Sequence, residues 1–151
     1  MQLINKEIQG KASGFTLIEV LITIIVLAIG LLGMAALQST GLKNNNSAYM
    51  RSQATVLAYD MADRMRANSK GTYAAVAVPS AAIANCKTTV GCTVNDMAKN
   101  DIYEWDQLMQ SILPSSSGVI TVSANNVATI EVKWHDNPDG VTKSFKMSFL
   151  Q

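Results

Sequence analysis

Charge is scarce in this chain. Only 15% of its 151 residues are Asp, Glu, Lys or Arg, against roughly 25% in ordinary globular chains. Twelve Lys and Arg against eleven Asp and Glu leave a net +1. That balance lacks the basic excess of a nucleic-acid binder, so no nucleic-acid partner is expected. A single histidine, His135, and two cysteines, Cys86 and Cys92, leave little from which to build a metal site, and none is expected. No Ser/His/Asp set, glycine-rich phosphate loop or carboxylate pair is recognisable, so the chain reads as a non-enzyme without a cofactor. Proline is also rare, and none occurs before Pro79, so nothing forces a helix break in the first half. The 48% apolar content excludes a long disordered chain.

The missing charge is a local absence. Phe15 to Leu37 holds one charged residue, Glu19. As a helix rising 1.5 Å per residue this run spans about 34 Å, enough for a hydrocarbon core of about 30 Å. It is longer than a secretory h-region, and no small-x-small cleavage site follows it. Residues 1–14 are polar and carry Lys6 and Lys11. The positive-inside tendency therefore places this leader in the cytoplasm and the rest of the chain outside. Three parts result: a leader, 1–14; a membrane-spanning half-helix, 15–37; and an external domain, 38–151.

Helical patterning continues past the apolar run. Met50, Ala54, Leu57, Met61 and Met65 recur at steps of three and four, which lines one helix face. The expected element is one helix of about 50 residues, with a weak stretch at Gly41–Asn46 and a stop at Asn68–Gly71. Residues 72–95 show no period and read as a connecting loop. A short helix is expected from a cap at Asn95 or Asp96 to about Leu113, with Met97, Ile102, Trp105, Leu108, Met109 and Ile112 on its apolar side. Three strand signals follow, at 119–124, 127–134 and 141–150. Ile120, Val122 and Ala124 share one face of the first. Ile130, Val132 and Trp134 point inward from the second. Val141, Phe145, Met147 and Phe149 align on the third. Short turns between them imply an antiparallel meander. The fold class is α+β, with a long N-terminal helix packed on a C-terminal antiparallel sheet of about three strands.

Glu19 carries the most chemical information. An acidic group at the centre of a span costs roughly 2.5–3.5 kcal/mol, which makes it a functional hypothesis. The competing reading is an interfacial carboxylate that reaches the headgroups. The functional reading needs a cation, and a cut before Phe15 would create one in the new α-amine.

Gly14-Phe15-Thr16-Leu17-Ile18-Glu19-Val20, followed by the apolar run, resembles the processing motif of type IV pilins and type II secretion pseudopilins. The resemblance implies cleavage between Gly14 and Phe15 by prepilin peptidase, N-methylation of Phe15, and an assembly role for Glu19. A narrower resemblance, to the type IV pilus modification (V-type) minor pilins, rests on residues 28–38, Asp63–Asn68, Tyr103-Glu104-Trp105 with Leu113-Pro114, and the strand ending Val132-Lys133-Trp134. It implies a minor pilin with the type IV pilin fold. The implied partners are other minor pilins, the major pilin, the inner-membrane assembly platform and a large tip adhesin. The implied locations are the inner membrane and then the surface pilus. A minor pseudopilin of type II secretion is the alternative, since it would share Gly14, Phe15 and Glu19.

Three smaller features complete the reading. Asp63, Arg64 and Arg66 end the long helix; a solvated face is the simplest expectation, and a contact with another pilin subunit the alternative. Cys86 and Cys92 lie in the part expected outside the cytoplasm, where disulfides persist, and a bridge is expected. Asp136, Asn137 and Asp139 before Gly140 lack the full calcium-loop pattern and read as a hairpin turn.

Overall fold

Residues 17 to 67 form one long helix because neither half contains a helix breaker and each has its own apolar pattern. The computed structural model describes residues 14–74, 76–136 and 140–151. Its elements are α1 (Leu17–Ala67), a four-residue 3-10 helix (Ala84–Lys87), α2 (Val94–Ile112), β1 (Ser117–Val122), β2 (Val127–His135) and β3 (Thr142–Leu150). The chain divides into two units, one ending at Leu42 and the other running from Lys43 to Gln151. Residues 1–13 of the leader and residues 137–139 of the expected hairpin turn lie outside the described residues.

In the first unit the apolar side chains of α1 bury nothing within the chain. Leu17 is 92% exposed and Leu32 72%. This stretch is long and apolar enough to cross a membrane. Its helix starts with Thr16 as N-cap: the Thr16 hydroxyl accepts a long 3.4 Å hydrogen bond from the Glu19 backbone N–H. Thr23 turns its hydroxyl back onto the Glu19 carbonyl at 2.7 Å, so this polar group is satisfied inside the apolar run. Gly41–Asn46 remains helical; its weak local propensity is overridden.

In the second unit one face of α1 enters the core. Ala54, Leu57, Ala58, Met61, Ala62 and Met65 are buried, with Met50 packed at the margin. Small Ala58 and Ala62 widen the expected stripe into a packing face. Against it stand Ile102, Trp105 and Met109 of α2 and Ala128, Ile130, Val132 and Trp134 of β2. Strand order is β1-β2-β3, all antiparallel. Alternation along β2 is strict: every second residue from Ala128 to Trp134 is buried. On the other face Thr129 bonds Ser148 at 2.8 Å, and Glu131 lies 3.4 Å from Lys146.

Several boundaries differ from the sequence reading. β1 ends at Val122, so Ala124 lies exposed in the turn, where Asn126 adopts φ 57°. Val141 precedes β3 and is 78% exposed. Leu108 is exposed rather than packed, because Trp105 and Met109 already occupy the buried side of α2. Thr93, not Asn95 or Asp96, caps α2, accepting from the Asp96 N–H at 3.1 Å. His135 is half-buried; its Nε2 lies 3.0 Å from the Thr142 hydroxyl.

Gly118 has a packing reason. A Cβ there would overlap the six-membered ring of Trp105. Trp105 itself is 2% exposed and donates its indole N–H to the Leu57 carbonyl at 2.8 Å. The close approach of β1 to α2 therefore depends on one glycine and one indole.

Candidate functional site

Two places carry the chemistry expected from the sequence: the segment that opens α1, and the charged end of the same helix. Gly14, Phe15 and Thr16 precede the first helical residue. Among the described residues nothing lies within contact of a Cβ on Gly14, so they do not require glycine there. Phe15 is 83% exposed. Phe15, Glu19 and Thr23 follow one another at helical spacing and flank one shallow apolar depression with Val20 and Ile24. Among the described residues Glu19 has no ion-pair partner. Its place in the first turn of α1 suits the positive end of the helix dipole. The Thr16-x-x-Glu19 spacing is that of a capping box, a signal that was available in the sequence.

The charged end of α1 is more connected than expected. Arg64 is not a solvated residue. Its Nε donates to Asp60 at 3.0 Å, and its Nη1 reaches Glu104 at 3.1 Å and Asp101 at 3.4 Å. Asp101, 8% exposed, also accepts from the Tyr73 hydroxyl at 2.6 Å. Glu104 further accepts from Lys87 at 2.9 Å and Asn100 at 3.1 Å. Arg64 thus ties α1 to α2 within one subunit. A guanidinium suits this place because its fixed fork reaches several carboxylates at once. Asp63 and Arg66, by contrast, pair with each other at 2.8 Å on the surface. The Arg66 guanidinium also sits 4.8 Å from the Phe149 ring centre.

These contacts shift titration. Burial lowers the Arg64 pKa, but the Glu104 bond and the fields of Asp60 and Asp101 outweigh it and raise the group above its ordinary value. Burial, followed by the bond to Asp101, pushes the Tyr73 hydroxyl upward. The Lys87 hydrogen bond is the main cause holding the Glu104 carboxyl down at about 2; Arg64 and Asn100 assist and burial opposes. A carboxyl that ionises more readily folded than unfolded stabilises the fold above its unfolded value of 4.5. That contribution is lost as pH falls from 4.5 towards 2. Urea midpoints at pH 7, 4.5 and 2.5 should therefore fall more steeply for the native chain than for Glu104→Gln. The difference should be about 1 kcal/mol after screening of this partly exposed group. Parallel curves would contradict the assignment.

Cys86 and Cys92 form a disulfide with Cα atoms 4.9 Å apart. The closed loop sits against α2 through Lys87–Glu104, and just before it the Ile83 N–H donates to Asn100 at 3.0 Å. A loop of this size contributes roughly 2–2.5 kcal/mol by constraining the unfolded chain. Cys86→Ser/Cys92→Ser should lower unfolding stability by that amount. A loss below about 0.5 kcal/mol would show that the bridge does not constrain the unfolded state.

The comparisons extend this geometry in two adjoining pieces. A family model described as the prokaryotic N-terminal methylation motif matches residues 10–35. A second, described as type IV pilin Tt1218, matches residues 36–103. The chain is a type IV pilin-type protein. Its α+β architecture, a long N-terminal helix with a small three-stranded antiparallel sheet, is that of the type IV pilin fold. The methylation motif implies processing by prepilin peptidase and assembly with other pilins. The apolar start of α1 fits a membrane-anchored pilin that later enters the pilus, and the pilin family is structural. Neither the curated proteins nor the solved structures yield a match to the chain.

Proposed function

We propose that this pilin-type chain is a minor subunit of a type IV pilus, incorporated into the fibre or priming its growth. The observation that carries the reading is the apolar half of α1. Its side chains are exposed throughout and directly follow Gly14-Phe15-Thr16-Leu17-Ile18-Glu19. At about 0.8 kcal/mol per CH₂, such a surface needs burial, first in the inner membrane and then among neighbouring helices.

In this reading the leader is cytoplasmic and the domain from residue 38 periplasmic. Prepilin peptidase cuts between Gly14 and Phe15, and the new Phe15 amine is methylated. That no atom of the described residues crowds Gly14 supports an outside requirement for its small size, namely the peptidase site. An ATP-driven platform extracts the subunit. Glu19 then accepts the Phe15 ammonium, its own or a neighbour's, as both leave the membrane, which sets axial register. Asp63 and Arg66 are available for a contact with another subunit, whereas Arg64 is committed internally. The V-type resemblance of Asp63–Asn68 and of the Trp105 region favours a minor pilin with a pilus tip adhesin among its partners.

A deletion strain distinguishes this from a secretion pseudopilin. Loss of surface pili and twitching, with the protein recovered from sheared fibres of the complemented strain, is expected. Intact pili together with a type II secretion defect would overturn the pilus assignment.

A further inference from the structure

β1 is an edge strand, and its hydrogen-bond register shows which backbone groups are left over. The Ser123 N–H bonds the Val127 carbonyl at 2.9 Å, which fixes the phase of the β1–β2 ladder. Ser117, Val119 and Thr121 bond inward to β2. Gly118, Ile120 and Val122 therefore turn their N–H and C=O groups to the open side. Among the described residues none of these groups has another backbone partner.

A groove of about 260 Å³ runs beside that open side. Gly118, Val119 and Ile120 all line it. Successive strand residues point to opposite faces, so the groove lies along the edge and not over one face. Val76, Ala77 and Val78 line it as well, together with Trp105 and Asp106 of α2. Its volume exceeds the 150 Å³ of an engineered cavity that takes benzene, so one or two apolar side chains fit. Asp106 is the one carboxylate in it. It accepts from Gln110 at 2.6 Å, and among the described residues no cation pairs with it. Burial raises its pKa.

We propose that the β1 edge and this groove are a docking site for an extended, apolar, strand-forming peptide of a partner protein, carrying one Lys or Arg that pairs with Asp106. Main-chain bonds to Gly118, Ile120 and Val122 give affinity, and the groove and Asp106 give side-chain selection, as in strand addition generally. A second copy of this chain fits less well. Its other edge strand, β3, has Phe145, Met147 and Phe149 packed against its own core, which leaves the terminal Leu150 as the exposed apolar side chain it could offer the groove. The proposal rests on the fold alone and stands apart from the pilus assignment.

The test uses the full-length chain in detergent micelles and a synthetic acetyl-Thr-Val-Thr-Lys-Thr-Val-Thr-amide peptide, whose Val and Lys side chains share one face. Amide exchange at Gly118, Ile120 and Val122 should slow at least tenfold with peptide, while Ser144, Lys146 and Ser148 on the β3 edge stay unchanged. Asp106→Lys should weaken binding at least tenfold and should bind the peptide with Glu in place of Lys. Val122→Pro removes an outward donor, which an edge strand tolerates, and the side chain packed against the core; it should bind at least fivefold more weakly than Val122→Ala, which loses the same packing but keeps the donor. The neutral Asp106→Asn gives a second reading of the charge should Asp106→Lys not fold, and should also weaken binding. No slowing at β1, slowing at the β3 edge instead, binding indifferent to both Asp106 variants, or peptide-independent slowing that grows with protein concentration would each overturn the proposal; the last would mark a second copy.

Discussion

Trp105→Ala is expected to destabilise the chain by about 3–5 kcal/mol, the usual cost of emptying a buried tryptophan site. Domains of this size hold only about 5–15 kcal/mol in all, so the urea midpoint should collapse. The reason is local and can be checked by a cycle. Trp105 fills the space that a Cβ on Gly118 would occupy and anchors its N–H on Leu57 of α1. Gly118→Ala should be strongly destabilising alone. In the Trp105→Ala background it should cost little or add stability, because the methyl enters the vacated space. A coupling energy of 1 kcal/mol or more is expected between these neighbours. Additive losses would show that the β1–α2 approach is set by something other than this pair.

Glu19→Ala should separate membrane insertion from fibre assembly. Insertion should be unaffected or improved, since the substitution removes a charge whose cost reaches roughly 2.5–3.5 kcal/mol at mid-span and is smaller near the end of the run, where Glu19 sits. Cleavage should persist, because Gly14 and Phe15 are unchanged. Incorporation should fail, because the Phe15 ammonium would enter an apolar bundle alone; losing one member of a buried ion pair costs about 3–5 kcal/mol. Glu19 also ends the Thr16 capping turn, and Glu19→Gln tests that role separately. Gln preserves the capping-box side chain but not the charge, so it should also fail to assemble. The readout is cleaved protein in sheared pili against protein retained in membranes. Native-like amounts of Glu19→Ala in the sheared fraction would assign Glu19 to the interface or the helix cap.

Much of the fold is legible in the sequence because its signals are local. The step-of-four stripe from Met50 to Met65 and the alternation from Ala128 to Trp134 are periodicities, and both became buried faces. Ala124 and Val141 continue the alternation of their strands, and alternation alone does not mark where pairing ends; the turn at Asn126 does. The role of Arg64 was not legible for a different reason. Its partners Asp101 and Glu104 lie about forty residues away, and only packing of α2 on α1 turns a helix-end cation into a cross-link. The same holds for Gly118, whose need to be glycine depends on Trp105. The Gly14-Phe15…Glu19 segment was legible because its meaning is read by other proteins and does not depend on this chain's packing.

The central claim is that Gly14–Phe15 is a processing site and that the apolar helix it releases builds a fibre. The most direct measurement is the intact mass and N-terminal peptide of the protein from membranes and from sheared surface fibres. The account predicts a mature chain that begins at N-methylated Phe15 in both fractions. A chain retaining residues 1–14 in the fibres, or one cleaved after Leu37 and released without the helix, would contradict it.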